Sequence, residues 1–280
     1  MTSTSTKKIW IFLLLTFAFS AIFYYFIIAA GSIHTYSWGL MWSPGVAALI
    51  TQLIFQRNLR GLGWSIKPAK YWLMGYGLPA CYGLLVYGIV WLTGLGSFAP
   101  EAMAQQAAAQ LHIQTQSPTV FLVIYLIIAA TAGMVSSCAT ALGEEIGWRG
   151  LLVPELAKRF SFTTTALVSG VIWALWHYPG ILFADYNNAG VSPGFGLLCF
   201  TIMVIGTSFA FAWLRLKSGS LWPAVILHAS HNLFIQAIFT PLTGATRFTP
   251  YVIGEFGVGL ALVALPVAYL FWRKRAEIPR

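Results

Sequence analysis

The sequence predicts an all-α fold: a polytopic membrane helix bundle of about eight transmembrane helices, forming one integral membrane domain from residue 1 to 280, with both termini cytoplasmic. Two observations carry that prediction. Of the 280 residues, 58% are hydrophobic and only 8% charged, where a soluble domain carries charge on roughly a quarter of its positions. No soluble interior hides that much apolar side chain. The apolar residues also fall in long runs without strict alternation. At membrane depth, where no water pairs the backbone, such runs span as helices.

Stretches near the ~20 residues needed to cross hydrocarbon lie at 9–30, 38–56, 71–93, 119–143, 162–183, 195–214, 220–240 and 251–272. The first follows Lys7 and Lys8. At ~22 residues it exceeds the ~7 to 15 of a signal-peptide core and reads as a retained signal anchor, although Ala29-Ala30-Gly31 leaves cleavage open. Charge sets orientation. With the N-terminus inside, the inner segments hold Lys7 and Lys8; Arg57, Arg60, Lys67 and Lys70; Arg149, Lys158 and Arg159; Arg215 and Lys217; and Arg273, Lys274, Arg275 and Arg280. Of the 16 basic residues only Arg247 is left outside, the bias expected of the positive-inside rule. The net charge of +9 is therefore topological, and no nucleic-acid partner is expected.

The remaining joints are short and punctuated by turn residues, as in Tyr178-Pro179-Gly180 and Ser218-Gly219. The outer loop 94–117 has no basic residue, and its Ala- and Gln-rich part from Glu101 to Gln110 reads as a short helix. Cys81, Cys138 and Cys199 each sit inside an apolar run as free thiols, and the many tryptophans read mostly as interface anchors. Short loops without an accessory domain suit a prokaryotic plasma membrane. Membrane lipid is the expected surrounding; the oligomeric state is not legible.

An ionisable residue at membrane depth is costly and is by default a functional-site hypothesis. Two of the seven acidic residues are adjacent, in Gly143-Glu144-Glu145-Ile146-Gly147-Trp148-Arg149-Gly150, which closes the fourth run. On a helix Glu145 and Arg149 share a face and neutralise each other, while Glu144 points about 100° away and needs another partner. The fifth run carries His177, with Trp173 one turn before it. The seventh carries His228 and Asn232, four apart on one face, and His231 on a neighbouring face reads as structural. Taken singly, each has a plainer reading: helix-end neutralisation for the glutamates, packing for His177, interhelical glue for His228 and Asn232. Their coincidence on three helices points to one buried cluster.

In order and spacing, Glu144-Glu145 with Arg149, then Trp173 with His177, then His228 with Asn232 resemble the three-motif signature of the CPBP (Abi) family, the type II CAAX prenyl endopeptidases and bacteriocin-processing enzymes. The second motif usually has Phe where Trp173 stands, and the position four before His228, often Asn, Cys or small, is Ala224. The resemblance covers roughly 118–240. It implies an intramembrane glutamic endopeptidase, a peptide hydrolase, acting without a cofactor on a membrane-associated peptide or protein. In that reading Glu144 is the base for water, His177 positions the water, and His228 and Asn232 donate to the oxyanion. Glu145, Arg149 and Trp173 support them. Two alternatives stand beside it: a zinc-dependent metalloprotease with Glu144, His177 and His228 as ligands, and a non-enzymatic scaffold or immunity protein. A transporter is a further reading that the nearly apolar sixth and eighth runs speak against. One geometric difficulty is explicit. If the fourth helix ends near Arg149, Glu144 lies only ~8 Å from its end, whereas His177 lies ~24 Å beyond Ser161; straight helices then do not bring them level.

Overall fold

The computed structural model describes residues 2–66, 68–114 and 116–279; Lys67 and Arg280, two of the basic residues used for orientation, lie outside the described residues. The described residues are mostly helical. In order the chain forms α1 (Thr2–Ala30), α2 (Ser37–Gln56), α3 (Lys70–Leu92), α4 (Pro100–Gln110), α5 (Pro118–Ala157), α6 (Phe162–Phe183), α7 (Pro193–Ser218), α8 (Trp222–His231, continued by a π-helical stretch Asn232–Phe239), α9 (Thr249–Val252) and α10 (Val258–Arg273). The sole sheet among the described residues pairs β1 (Ser97–Phe98) antiparallel with β2 (Thr243–Gly244).

Local signals set the ends. Gly31 (φ +69°) closes α1 and Gly219 (φ +70°) closes α7 in the left-handed conformation that glycine adopts without strain. Ser161 Oγ accepts the Thr164 N–H at the start of α6, and Pro118 opens α5. The helix expected after Glu101 is present as α4, which buries Met103, Ala104, Ala107 and Ala108.

All eight apolar runs hold helix, but six helices, α1, α2, α3, α5, α6 and α7, are long and apolar enough to cross a bilayer. Two runs depart for identifiable reasons. His228, His231, Asn232 and Gln236 interrupt the apolarity of α8. The eighth run is broken at Gly254, which takes φ +70°, so α10 has only 16 residues, ~24 Å against a ~30 Å hydrocarbon core.

The fourth run is the larger correction. It does not close after Arg149 but continues as α5 to Ala157, 40 residues with π turns at Ala129–Gly133 and Ile146–Leu152. Counted from that lower end, Glu144 stands ~20 Å up α5, and His177 stands ~22 Å up α6 from Phe162. The offset expected from a shorter helix therefore disappears. The α7–α8 turn is itself set deep, because Arg215 Nε donates to the Arg149 carbonyl (2.8 Å) and the Leu221 N–H to Gly63 (2.7 Å).

Packing places α2 and α8 against α5, α3 against α8, and α7 between α6 and α10. The α2–α5 approach is very close: a Cβ on Gly45 would stand 2.4 Å from the Gly143 carbonyl oxygen, and one on Gly147 would stand 2.6 Å from Pro44. Small residues let helix backbones meet in this way. The lower end of α5 is tied to α1 by Lys8 Nζ (3.0 Å) and Ser5 Oγ (2.7 Å), both donating to the Glu155 carboxylate. The tryptophans divide. Trp10 and Trp38 are exposed, as interface anchors would be, whereas Trp148, Trp176 and Trp213 are among the most deeply buried side chains. Cys199 is buried, Cys138 half-buried and Cys81 exposed, and all three are free thiols.

Candidate active site

The two adjacent glutamates diverge as their helical positions require. Glu144, 2% exposed, turns toward α6, where the Trp173 indole N–H donates to its Oε2 at 2.8 Å. The Trp148 indole adds a longer contact at 3.3 Å. An indole nitrogen can only donate, so Glu144 Oε2 is the acceptor in both contacts. Oε1 accepts no hydrogen bond among the described residues. Trp173, expected as a supporting residue, is thus the hydrogen-bonding partner that Glu144 needed.

Glu145, fully buried, turns the other way. Its Oε1 accepts from Arg149 Nη1 at 2.8 Å and from His228 Nδ1 at 2.9 Å, so the expected i, i+4 pair is made and reaches α8 as well. The Arg149 guanidinium lies 4.0 Å from both the Trp173 and the Phe211 ring centroids. Its Nε and Nη2, like Glu145 Oε2, make no hydrogen bond among the described residues. Its charge is met by Glu145 and by two aromatic faces.

His177 Nδ1 lies 2.8 Å from the Trp173 carbonyl. A carbonyl only accepts, so Nδ1 carries the proton, and in the neutral ring Nε2 holds the lone pair. Trp176 and Phe200 stand edge-on to the ring at 4.7 and 5.0 Å, and Tyr186 stacks on it at 6.0 Å. The Trp173 ring lies between the two histidines, 5.9 Å from His177 and 5.4 Å from His228. Asn232 opens the π-helical stretch of α8, half-buried, with no side-chain hydrogen bond among the described residues.

Glu144, His177, His228 and Asn232 line one cavity of about 770 Å³. Glu145 and Arg149 stand behind its wall. Two further residues, unexploited by the sequence reading, line the same cavity: His231 and Glu255. His231 Nε2 meets Glu255 Oε1 at 3.0 Å, and its Nδ1 bonds the Tyr82 hydroxyl. Tyr186, in the loop after α6, donates to Glu255 Oε2 at 2.6 Å. Burial, and then the Glu255 charge, push the Tyr186 phenol well above its ordinary value, so it keeps the proton it donates. The rule that singled out Glu144 could have found Glu255, an acidic residue inside a predicted span. Among the described residues no three His, Cys, Asp or Glu side chains are grouped to hold a metal ion.

Residues 115–234 match the family model described as Rce1-like, type II CAAX prenyl endopeptidase. CAAX prenyl protease 2 of Methanococcus maripaludis is 32% identical over 94 residues, 32% of this chain and 34% of that protein. The chain therefore spans about a third of the length of this curated relative in the matched region. Residues 115–234, the segment that supplies Glu144, His177, His228 and Asn232 to one cavity, are thus similar to the type II CAAX prenyl endopeptidases.

Proposed function

We propose that this chain is an intramembrane endopeptidase that hydrolyses a peptide bond in a membrane-associated peptide or protein, with Glu144 as the base for water. The supporting observation is the single cavity lined by Glu144, His177, His228 and Asn232, delivered by three helices of the matched segment. Amide hydrolysis needs a base, donors for the oxyanion and a proton for the leaving nitrogen. Glu144 Oε2 is fixed by Trp173 and Trp148, which leaves Oε1 to accept from a water. As that proton passes to Glu144, the water oxygen bonds to the carbonyl carbon and the C=O electron pair moves onto oxygen. Collapse then re-forms C=O and breaks C–N, and Glu144 returns the proton to nitrogen.

His177, with Nδ1–H held by the Trp173 carbonyl, offers the Nε2 lone pair to the same water and orients it. The Asn232 carboxamide donates to the oxyanion. For His228 to donate as well, Nε2 must also carry hydrogen, since its Nδ1–H is engaged with Glu145. The imidazolium then sets two cations, Arg149 and His228, against two carboxylates, Glu144 and Glu145. Glu145 and Arg149 act by holding α5 against α8. The whole chain serves as one domain around the 118–240 core. Its basic segments support cytoplasmic termini, and its short loops suit a plasma-membrane location.

The name of the Methanococcus relative makes a farnesylated CAAX peptide the first probe. With full-length chain in nanodiscs, Glu144→Gln should lower kcat by ~100 to 10,000-fold, unaffected by chelator. Equal cleavage by wild type and Glu144→Gln removes the mechanism. Loss in chelator that zinc restores would favour Glu144, His177 and His228 as metal ligands instead.

A further inference from the structure

Glu255 lies outside the matched segment, in the turn between α9 and α10, yet reaches the same cavity as Glu144. Its place is fixed by backbone contacts. Asn188 Nδ2 donates to the Pro250 and Ile253 carbonyls at 2.8 and 3.0 Å, binding the loop after α6 to this turn. The Gly254 N–H donates to the Tyr87 hydroxyl at 3.1 Å. Gly254 itself takes φ +70° with Asn188 beside it. So held, the carboxylate is 7% exposed and uses both oxygens, Oε1 toward His231 and Oε2 for Tyr186.

The route to His177 runs through Tyr186. The Tyr186 ring lies 28° from parallel to His177, with its hydroxyl anchored on Glu255. Phe256, next in sequence, stands edge-on to Tyr186 at 5.0 Å and stacks on Phe200, which packs edge-on against His177. Two walls of the His177 cage thus rest on the turn that carries Glu255. A histidine ring offers its two nitrogens differently only while it cannot turn over, and the single hydrogen bond from Nδ1 to the Trp173 carbonyl leaves that restraint to the cage.

We propose that Glu255 is a positioning residue for His177, holding Tyr186 against the imidazole so that Nδ1 stays on the Trp173 carbonyl and Nε2 stays toward the cavity. The inference rests on the proposed role of His177 in orienting water. Because the carboxylate accepts a short, charge-assisted bond from Tyr186, loss of either partner frees the ring while Glu144, His177, His228 and Asn232 are all retained.

The test uses the full chain in nanodiscs with ¹⁵N-labelled histidine, His177 being identified by its missing signal in His177→Gln. Wild type should show one His177 tautomer, protonated at Nδ1. Glu255→Gln should show a mixture, with kcat on the farnesylated peptide reduced ~10 to 100-fold and KM within about twofold. Tyr186→Phe keeps the ring and loses only the hydroxyl, so it carries the test if Glu255→Gln fails to fold. An unchanged tautomer in both variants overturns the proposal, whether or not rate falls, because rate loss alone would be structural. If wild type cleaves nothing, the endopeptidase reading fails while the tautomer measurement still decides the role of Glu255.

Discussion

Removing the Glu145 charge should destabilise this protein more than removing the pair it belongs to. Arg149 is 1% exposed; among the described residues its Nη1 bonds Glu145, while Nε and Nη2 find no hydrogen-bond partner. In Glu145→Gln the cation stays buried without its hydrogen-bonded anion, with only the more distant Glu144 charge left to it, and His228 Nδ1 loses a charged acceptor at 2.9 Å. Breaking one side of a buried ion pair costs about 3–5 kcal/mol, whereas replacing both sides with apolar residues is often nearly neutral. Here the double variant Glu145→Gln/Arg149→Leu keeps an acceptor for His228 Nδ1 but forfeits the contacts of the guanidinium with Trp173 and Phe211 at 4.0 Å, worth about 2 kcal/mol when desolvated. The expected order is therefore Glu145→Gln down by about 3–5 kcal/mol, the double by about 2 kcal/mol, and strong non-additivity between the sites. Reversible SDS unfolding in mixed micelles, followed by tryptophan fluorescence, measures all corners of the cycle. Glu145→Gln within about 0.5 kcal/mol of wild type, or single effects that sum to the double, would refute the reasoning.

The α2–α5 contact gives a second expectation. Gly45→Ala places a Cβ 2.4 Å from a backbone oxygen of Gly143 that cannot swing aside, so it should cost about 1–3 kcal/mol and, by displacing the helix that carries Glu144, lower activity; Gly77→Ala, with nothing within 4 Å, is the control that should do neither. The third concerns pH. Desolvation pushes the Asp185 carboxyl up, but hydrogen bonds from the Ile33 N–H (2.7 Å) and the Ser32 hydroxyl (2.9 Å) more than offset it and hold the group below the usual carboxylate range. A depressed folded value means that the unfolded chain protonates first. The clasp thus contributes fully at neutral pH and is lost as pH falls below about 4. The protection factor of the Ile33 amide in hydrogen exchange should fall over that window in wild type and be low at every pH in Asp185→Ala, which has no acceptor; a wild-type protection factor flat from pH 6 to 3 speaks against it.

Helix type and number of apolar runs were legible because lipid leaves the backbone one economical solution, and run length is set by bilayer thickness. The run ends were less so. Arg149 reads as a boundary on hydropathy, but Glu145, Trp173 and Phe211 neutralise and cover it, and α5 continues to Ala157. Glycine at position 254 interrupts a run that reads as unbroken. Likewise Trp148 and Trp176 share a residue type with interface anchors but are buried, since composition alone does not tell a bundle-facing from a lipid-facing side of a helix.

The sequence by itself determined the solvent in which this protein folds, the helical class and the residues, Glu144, His177, His228 and Asn232, that a membrane interior tolerates only with cause. Tertiary structure alone decided that these residues share one cavity, that Glu144 takes its hydrogen bond from Trp173, and that Glu255 and Tyr186 stand beside His177. The physical reason is that cost at depth is a property of each side chain, readable one residue at a time. Satisfaction of that cost depends on which helices meet and at what height, and those are set by close backbone approaches and long-range hydrogen bonds.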